Sequence, residues 1–294
     1  MGACSIKGLL DSGVVVIDKA PGLVSHEVTA LVKKILHAPR SGHAGTLDPD
    51  VSGVLPVALG RATKLLRYIA GKRKAYVGIC KFRKALSPIE VELLFSRFTG
   101  EIEQTPPKIS AVKKRKRKRF VYSLKALEVS GKRVLFRADV DAGTYIRTLC
   151  EDMGKAAGTE AFMEELRRVA VGSIHESSAH TMQELSDAYW LWKERGDETL
   201  LRKCIAPVDT LLEFRRVIVR KNVPESLASG AQLMAPGLVA AEPGIRKGEN
   251  VSVYSEDGEF VGVGTALFGG EEMNMQKRGK IVKTERIHWK KAKE

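Results

Sequence analysis

The sequence predicts an α+β protein, a mixed sheet packed with helices and followed by a smaller C-terminal β-domain. Helical and strand patterns alternate irregularly, with hairpin-like spacing, whereas a doubly wound parallel sheet would alternate regularly. From about Pro207–Arg215 the strand patterns shorten and glycine becomes frequent, and this texture runs to about Ile287. The 294 residues are 44% hydrophobic, which suffices to bury one large core or two.

Taken in order, Val14–Ile17 reads as a buried strand. Ser25 is placed to cap a helix whose apolar positions Val28, Leu31, Val32, Ile35 and Leu36 keep helical spacing. A second helix is expected over about Ala62–Ile69 and a strand over Ala75–Phe82. Ser87-Pro88-Ile89-Glu90 is a capping box with proline in the first turn, opening a helix to Phe98. Strands are expected over Val121–Val129 and at the alternating Val134, Phe136, Ala138 and Val140. Gly143-Thr144 then opens a helix with Ile146, Leu149, Cys150 and Met153 on one face. Thr181-x-x-Glu184 starts another, whose Tyr189, Trp190 and Trp192 suit a core or a protein interface. In the C-terminal region Val217–Val219, Val251–Tyr254 and Phe260–Gly264 read as strands, with a turn at Asp257-Gly258.

No apolar run reaches the ~18 residues that span a bilayer, and Met1–Leu10 lacks a secretory pattern. Cys4, Cys80, Cys150 and Cys204 are far apart and form no C-x-x-C pair, so buried free thiols in a reducing compartment are expected. The six histidines show no metal-ligand spacing. The net charge is +14. The run Lys113-Lys114-Arg115-Lys116-Arg117-Lys118-Arg119 contributes seven positive charges. Residues 277–294, with eight basic and two acidic side chains, contribute six, so the rest of the chain carries only +1. Charge concentrated in two short segments fits phosphate contacts, and the first run is expected as a loop against RNA.

The most informative stretch is Gly42-His43-Ala44-Gly45-Thr46-Leu47-Asp48-Pro49. Pro49 biases Asp48 away from helix and the glycines permit unusual backbone, so one carboxylate is held on a stiff loop edge. Taken alone this is also an ordinary Asp-Pro turn. The whole segment resembles the catalytic loop of the TruB family, the pseudouridine synthases that modify tRNA stem-loops and H/ACA-guided RNA sites. The resemblance continues through Ser52-Gly53-Val54-Leu55-Pro56-Val57, Leu59-Gly60-Arg61-Ala62-Thr63-Lys64, Gly143-Thr144-Tyr145-Ile146-Arg147-Thr148-Leu149 and Glu165-Leu166-Arg167-Arg168. The opening Asp18-Lys19-Ala20-Pro21-Gly22-Leu23-Val24-Ser25-His26 is similar too, with the proline shifted and Val24 where the family has threonine. Gly230-Ala231-Gln232-Leu233-Met234-Ala235-Pro236-Gly237 resembles the PUA domain, a small RNA-binding β-barrel.

The resemblance implies a largely antiparallel catalytic core over residues 1–214, a PUA domain over 215–290 and a basic tail at 291–294. It implies Asp48 as the catalytic carboxylate, attacking the nucleotide covalently or assisting glycal formation. Tyr76 is implied to stack on the flipped base, Arg147 to hold the aspartate, and Leu166 to lie under the base. Lys19 is implied to support the loop, His43 to position RNA, and Gly230 to mark the PUA surface for RNA. The reaction has no redox or phosphoryl-transfer step, so no cofactor and no metal is expected.

Gln104-Thr105-Pro106-Pro107-Lys108-Ile109-Ser110-Ala111-Val112 runs straight into the basic segment, leaving no room for the thumb insertion of stand-alone tRNA enzymes. With Asp187-Ala188-Tyr189-Trp190-Leu191-Trp192-Lys193-Glu194, this resembles the Cbf5/dyskerin branch of the family. The absence of a long Lys-rich extension suits an archaeal, cytoplasmic protein. The branch implies guided modification of rRNA, and of tRNA as a further target. The implied partners are an H/ACA guide RNA, the substrate RNA, and the proteins Nop10, Gar1 and L7Ae, with no membrane. The alternatives are a stand-alone tRNA pseudouridine-55 synthase and a non-catalytic RNA-binding scaffold.

Overall fold

A computed structural model describes residues 5–106 and 115–290. Cys4, Pro107–Val112, the first two lysines of the basic run, Lys113 and Lys114, and the tail 291–294 lie outside the described residues. The chain divides into two compact units. One comprises residues 15–58 and 66–205, the other residues 1–14, 59–65 and 206–294.

The chain begins with α1 (Ile6–Ser12) and β1 (Gly13–Lys19), followed by α2 (Ser25–Ile35), β2 (Ser41–His43) and β3 (Ser52–Leu59). A 3-10 turn over Gly60–Leu65 and the short α3 (Leu66–Ala70) replace the single helix expected over 62–69. Next come β4 (Lys74–Phe82), α4 (Pro88–Arg97), β5 (Gly100–Gln104), β6 (Arg117–Ser130) and β7 (Arg133–Val140). Then follow α5 (Ile146–Ala156), β8 (Ala161–Val171), β9 (Ile174–His175), α6 (Met182–Arg195), α7 (Thr199–Cys204) and β10 (Ile205–Pro207). The strands form one sheet in the order β10-β1-β3-β8-β4-β7-β6-β5, with β2 beside β3 and β9 beside β8. Strands β4 to β8 pair antiparallel, whereas β3 meets β8 in parallel, so the sheet is mixed and largely antiparallel.

Local signals explain most of these elements. Ser87 and Glu90 close a reciprocal cap on α4, and Thr181 and Glu184 do the same for α6. Both satisfy amides that a helix start leaves without partners. Helix α5 buries Ile146, Leu149, Cys150 and Met153 on one face. Ser25 does not cap α2. Val24 is the cap residue and offers no side-chain oxygen, and the Glu27 carboxylate accepts from its amide at 3.0 Å. The Ser25 hydroxyl is committed elsewhere, as described below. The aromatics of α6 lie off its buried face, which is Leu185 and Ala188, and Trp190 is 52% exposed. Cys80, Cys150 and Cys204 are buried free thiols.

In the second unit a six-stranded sheet follows the order β12 (Leu233–Met234), β16 (Lys280–Ile287), β15 (Phe260–Ala266), β14 (Asn250–Ser255), β11 (Arg216–Val219), β13 (Leu238–Ala241). Helices α8 (Val223–Ala228) and α9 (Gly270–Met275) complete it around a core that includes Val217, Val251, Val261, Met273 and Ile281. The sheet is barrel-like and nearly closed. Its expected turn is present, with Gly258 at φ 83° between β14 and β15. Segment 59–65 is built into this unit. Arg61 bonds Asp11 Oδ2 at 3.0 Å and the His288 carbonyl at 2.9 Å. Gly60, at φ 46°, has no room for a side chain, since a Cβ there would lie 2.0 Å from the Asp11 carbonyl oxygen.

Candidate active site

The loop between β2 and β3 carries Asp48, and buried groups fasten it at several points. Lys19, at the end of β1, is buried and donates to the carbonyls of Ala20 (2.9 Å), Pro49 (2.9 Å) and Val51 (2.8 Å). An ammonium has three donors, so all are used, two of them on backbone just after Asp48. Burial pushes this amine below its ordinary value, opposed by the negative charges of Asp50 and Asp48. The Ser25 hydroxyl donates to the Leu47 carbonyl at 3.0 Å and accepts from the Leu47 amide at 2.9 Å. The Val51 amide returns to the Asp48 carbonyl at 3.1 Å, closing the turn.

Arg147 sits in the first turn of α5 and donates through Nη2 to Asp48 Oδ2 at 3.2 Å. The two side chains are 45% and 57% exposed, so the pair opens to solvent while its backbone supports are buried. The approach to α5 is braced by buried Gln104, whose amide group accepts from the Tyr145 amide (3.0 Å) and donates to the Tyr145 carbonyl (3.1 Å).

Tyr76 and Leu166 lie on neighbouring strands. Tyr76 pairs with Arg168 and Gly78 with Leu166 across β4 and β8, so the four share one face of the sheet. Gly78 makes room for its neighbour, because a Cβ there would come 2.7 Å from Leu166 Cδ1. Both Tyr76 and Leu166 are 8% exposed.

Arg168 joins this face to the loop. Its buried guanidinium donates to the carbonyls of Val54 (2.8 Å) and Gly45 (3.0 Å) and interacts electrostatically with Tyr76. Burial disfavours its charge and Tyr76 offsets part of that cost. Lys74 lies close by, its amine bonded to the carbonyls of Ala70 and Lys72 and lowered to about 8 by burial and by Arg168. His43 is half-buried, its Nδ1 has no hydrogen-bond partner among the described residues, and burial, Arg168 and His26 all hold its pKa down. On the opposite face of β8, Arg167 makes a two-pronged pair with Asp18 (2.9 and 3.0 Å) and bonds Glu176 at 2.8 Å.

Sequence reasoning brought out Asp48, Tyr76, Arg147, Leu166, Lys19 and His43, and the structure places them around this loop, the start of α5 and the β4–β8 face. It missed Arg168, Ser25 and Lys74. A signal for Arg168 was present: side chains alternate along a strand, so two successive arginines on β8 must face opposite ways and one must turn inward. The basic run differs from expectation. Arg117–Arg119 are the first residues of β6, not loop. The reason is cross-strand charge pairing with β5, Lys118 to Glu101 at 2.8 Å and Lys116 to Glu103 at 3.7 Å. Arg115 and Lys116 precede the strand and are exposed. Gly230 follows α8 at φ 96°, with open space where a Cβ would be. Among the described residues no cluster suited to a metal ion occurs and no helix is long and apolar enough to cross a membrane.

Residues 33–146 match the N-terminal domain of TruB family pseudouridylate synthases, residues 147–213 the C-terminal domain of tRNA pseudouridylate synthase B, and residues 215–288 the PUA domain. A Methanocaldococcus jannaschii protein named probable tRNA pseudouridine synthase B is 44% identical over 96% of this chain and 84% of its own length. One of the same name from Pyrobaculum aerophilum is 42% identical over 93% of this chain and 83% of its own. Among solved structures, a Cbf5-Nop10-Gar1 complex contains a chain with TM-score 0.90 and 39% identity, covering 97% of this chain and 87% of that one. An H/ACA RNP bound to a substrate RNA containing 2′-deoxyuridine gives TM-score 0.89 and 37% identity, covering 97% of this chain and 88% of the other. With identity of this order spanning nearly the whole chain and the three segments in order, the chain belongs to the TruB family of pseudouridine synthases and carries a PUA domain.

Proposed function

We propose that this enzyme is the catalytic subunit of an RNA-guided, H/ACA-type pseudouridine synthase acting on chosen uridines of rRNA, with Nop10 and Gar1 as protein partners. The observation that carries the reading is the near-complete match to Cbf5 in complex with those proteins. The sequence supports it, since only residues 105–116 separate β5 from β6, too few for the thumb insertion of stand-alone tRNA enzymes. Residues 1–214 then act as the catalytic domain and 215–290, including Gly230, as the anchor for the guide.

Pseudouridine formation breaks the bond from C1′ to N1, turns the uracil and makes a bond from C1′ to C5. The C5 proton leaves and N1 gains one, so the net change is an isomerisation. Stacked within a duplex the target atoms are out of reach, and the uridine must be unpaired or flipped. In this reading Asp48 is the carboxylate that acts at the ribose, by covalent attack or by assisting glycal formation. Arg147, 3.2 Å from it, holds it aimed. Tyr76 stacks on the base, Leu166 forms the apolar wall beneath it, Lys19 stiffens the loop and His43 positions the RNA. A cation opposite the carboxylate, on a loop clamped by buried donors, is the preorganised arrangement such a step needs.

Arg147→Met is expected to cost activity far more than stability. The pair it breaks is exposed, worth about 0–1 kcal/mol to folding, whereas Asp48 loses its counter-charge. Single-turnover rates set beside thermal melts check this, and a variant that melts early with normal activity in its folded fraction would make Arg147 structural.

The guided reading is tested by measuring pseudouridine formation by the purified chain with and without guide RNA and accessory proteins. Turnover at one uridine only when the guide is added is expected. The names of the relatives favour a second reading, a stand-alone tRNA enzyme. Robust guide-independent turnover on tRNA would support it and overturn the first.

A further inference from the structure

At the start of β6 lies a feature that the roles above leave unused. An open groove of about 440 Å³ is lined by Glu101, Lys118, Arg119, Phe120, Tyr122 and Asp141. Lys118 and Phe120 alternate on β6, and Tyr122, at a bulge between Val121 and Ser123, presents its ring to the same groove. Phe120 is 41% exposed, an unusual state for a large aromatic on a strand, and its ring centroid lies 4.8 Å from that of Tyr122. The Arg73 guanidinium sits 3.4 Å from the Tyr122 ring centroid. The row runs Arg73, Tyr122, Phe120, Lys118, a cation at each end of two aromatic rings. The acids are already engaged. Asp141 accepts from the Tyr122 hydroxyl (2.8 Å) and the Phe120 amide (3.1 Å), and Glu101 pairs with Lys118.

The chain around the groove leads to the reacting groups. Arg73 precedes Tyr76 by three residues. Asp141, whose amide bonds the Phe120 carbonyl at 2.9 Å, begins the turn that delivers Arg147. Arg119, which also lines the groove, donates to the Gly143 carbonyl of the same turn at 3.1 Å. Lys116 and Arg115, exposed at the entrance to β6, extend the positive charge outward.

We propose that this groove is a nucleotide subsite, in which one unpaired base of the substrate RNA strand stacks on Phe120 while Lys118 and its basic neighbours meet the adjoining phosphates. The proposal rests on the RNA-directed reading above and adds to it a fixed seat for a base that is not the one being isomerised. Aromatic faces accept any base and phosphates supply the affinity, so the subsite sets distance and direction of the strand without reading its sequence. The volume is that of an ordinary small-ligand site and accommodates a nucleobase.

The test is binding of a short, fluorescein-labelled, single-stranded oligouridylate to the full chain at several salt concentrations. Phe120→Ala should weaken binding by about 5- to 150-fold, the range for losing one stacked base. Its log–log salt slope should stay at the wild-type value, because no phosphate contact is removed. Phe120→Tyr should restore affinity, and Phe120→Leu, apolar but without a π face, should not. Lys118→Ser should lower the slope by about 0.7. Wild-type affinity for Phe120→Ala, or full affinity for Phe120→Leu, would overturn the subsite. Pseudouridine formation by the same preparations separates the two levels of the argument. Normal chemistry with unchanged oligonucleotide binding defeats the groove alone. Absence of any RNA modification defeats the reading on which it rests.

Discussion

Asp48→Asn is expected to abolish pseudouridine formation while RNA binding stays within a few-fold of wild type. The substitution keeps the size of the side chain and its place on the loop. The supports of that loop, Lys19, Ser25 and Arg168, act on backbone and are untouched. What disappears is the negative charge and the oxygen nucleophile or base. Single-turnover rates should fall by at least about 10³-fold, the scale on which loss of one essential group acts. The amide can still accept from Arg147, so the fold should not suffer. Turnover near the wild-type rate would remove Asp48 from the chemistry.

Gly53→Ala should be the most damaging small change to the catalytic unit. Gly53 stands at φ 101°, and a Cβ on it would lie 2.2 Å from the Arg168 carbonyl oxygen. The clash is with backbone, which has no rotamer to yield. It falls where β3 joins β8 through the pairs Ser52 with Arg167 and Gly53 with Arg168. Left-handed strain alone costs about 1–3 kcal/mol, and parting the strands adds to it. A fall in melting temperature on the order of 10 °C is expected, together with lost activity, because the same contact fixes the loop against the Tyr76 face. An unchanged melt would show that β3 and β8 do not approach as described.

Much of this was legible in the sequence where the cause is local. The capping boxes at Ser87 and Thr181 announce α4 and α6 because an N-cap is a matter of four consecutive residues. Alternation over Val134–Val140 announces β7 for the same reason. The Asp48 loop was legible only through resemblance, since Asp-Pro by itself describes countless turns. The features that stayed hidden depend on partners far away in the chain. Ser25 looks like a helix cap until Leu47, 22 residues on, takes its hydroxyl. Arg168 looks like half of a basic pair until the carbonyls of Gly45 and Val54 appear beside it. The basic run reads as a loop against RNA until Glu101 and Glu103 pair with Lys118 and Lys116 across the join of β5 and β6. No window of neighbouring residues contains that information.

Residues 59–65 begin at the last residue of β3, yet they belong with the C-terminal unit, as does the stretch before residue 15. The polypeptide therefore passes between the units four times, not once. A domain hung on a single linker can be shuffled among proteins, excised by a protease or exchanged by an engineer with little harm to its host. This one is laced in. Cutting at 214 would strand the Arg61 segment without His288, so a truncated chain would report its own damage instead of the loss of the proposed RNA anchor. Probing the anchor calls for surface substitutions in an intact chain. The same lacing means that the two units should be gained or lost together as lineages diverge, inherited as one piece even though they read as separate families.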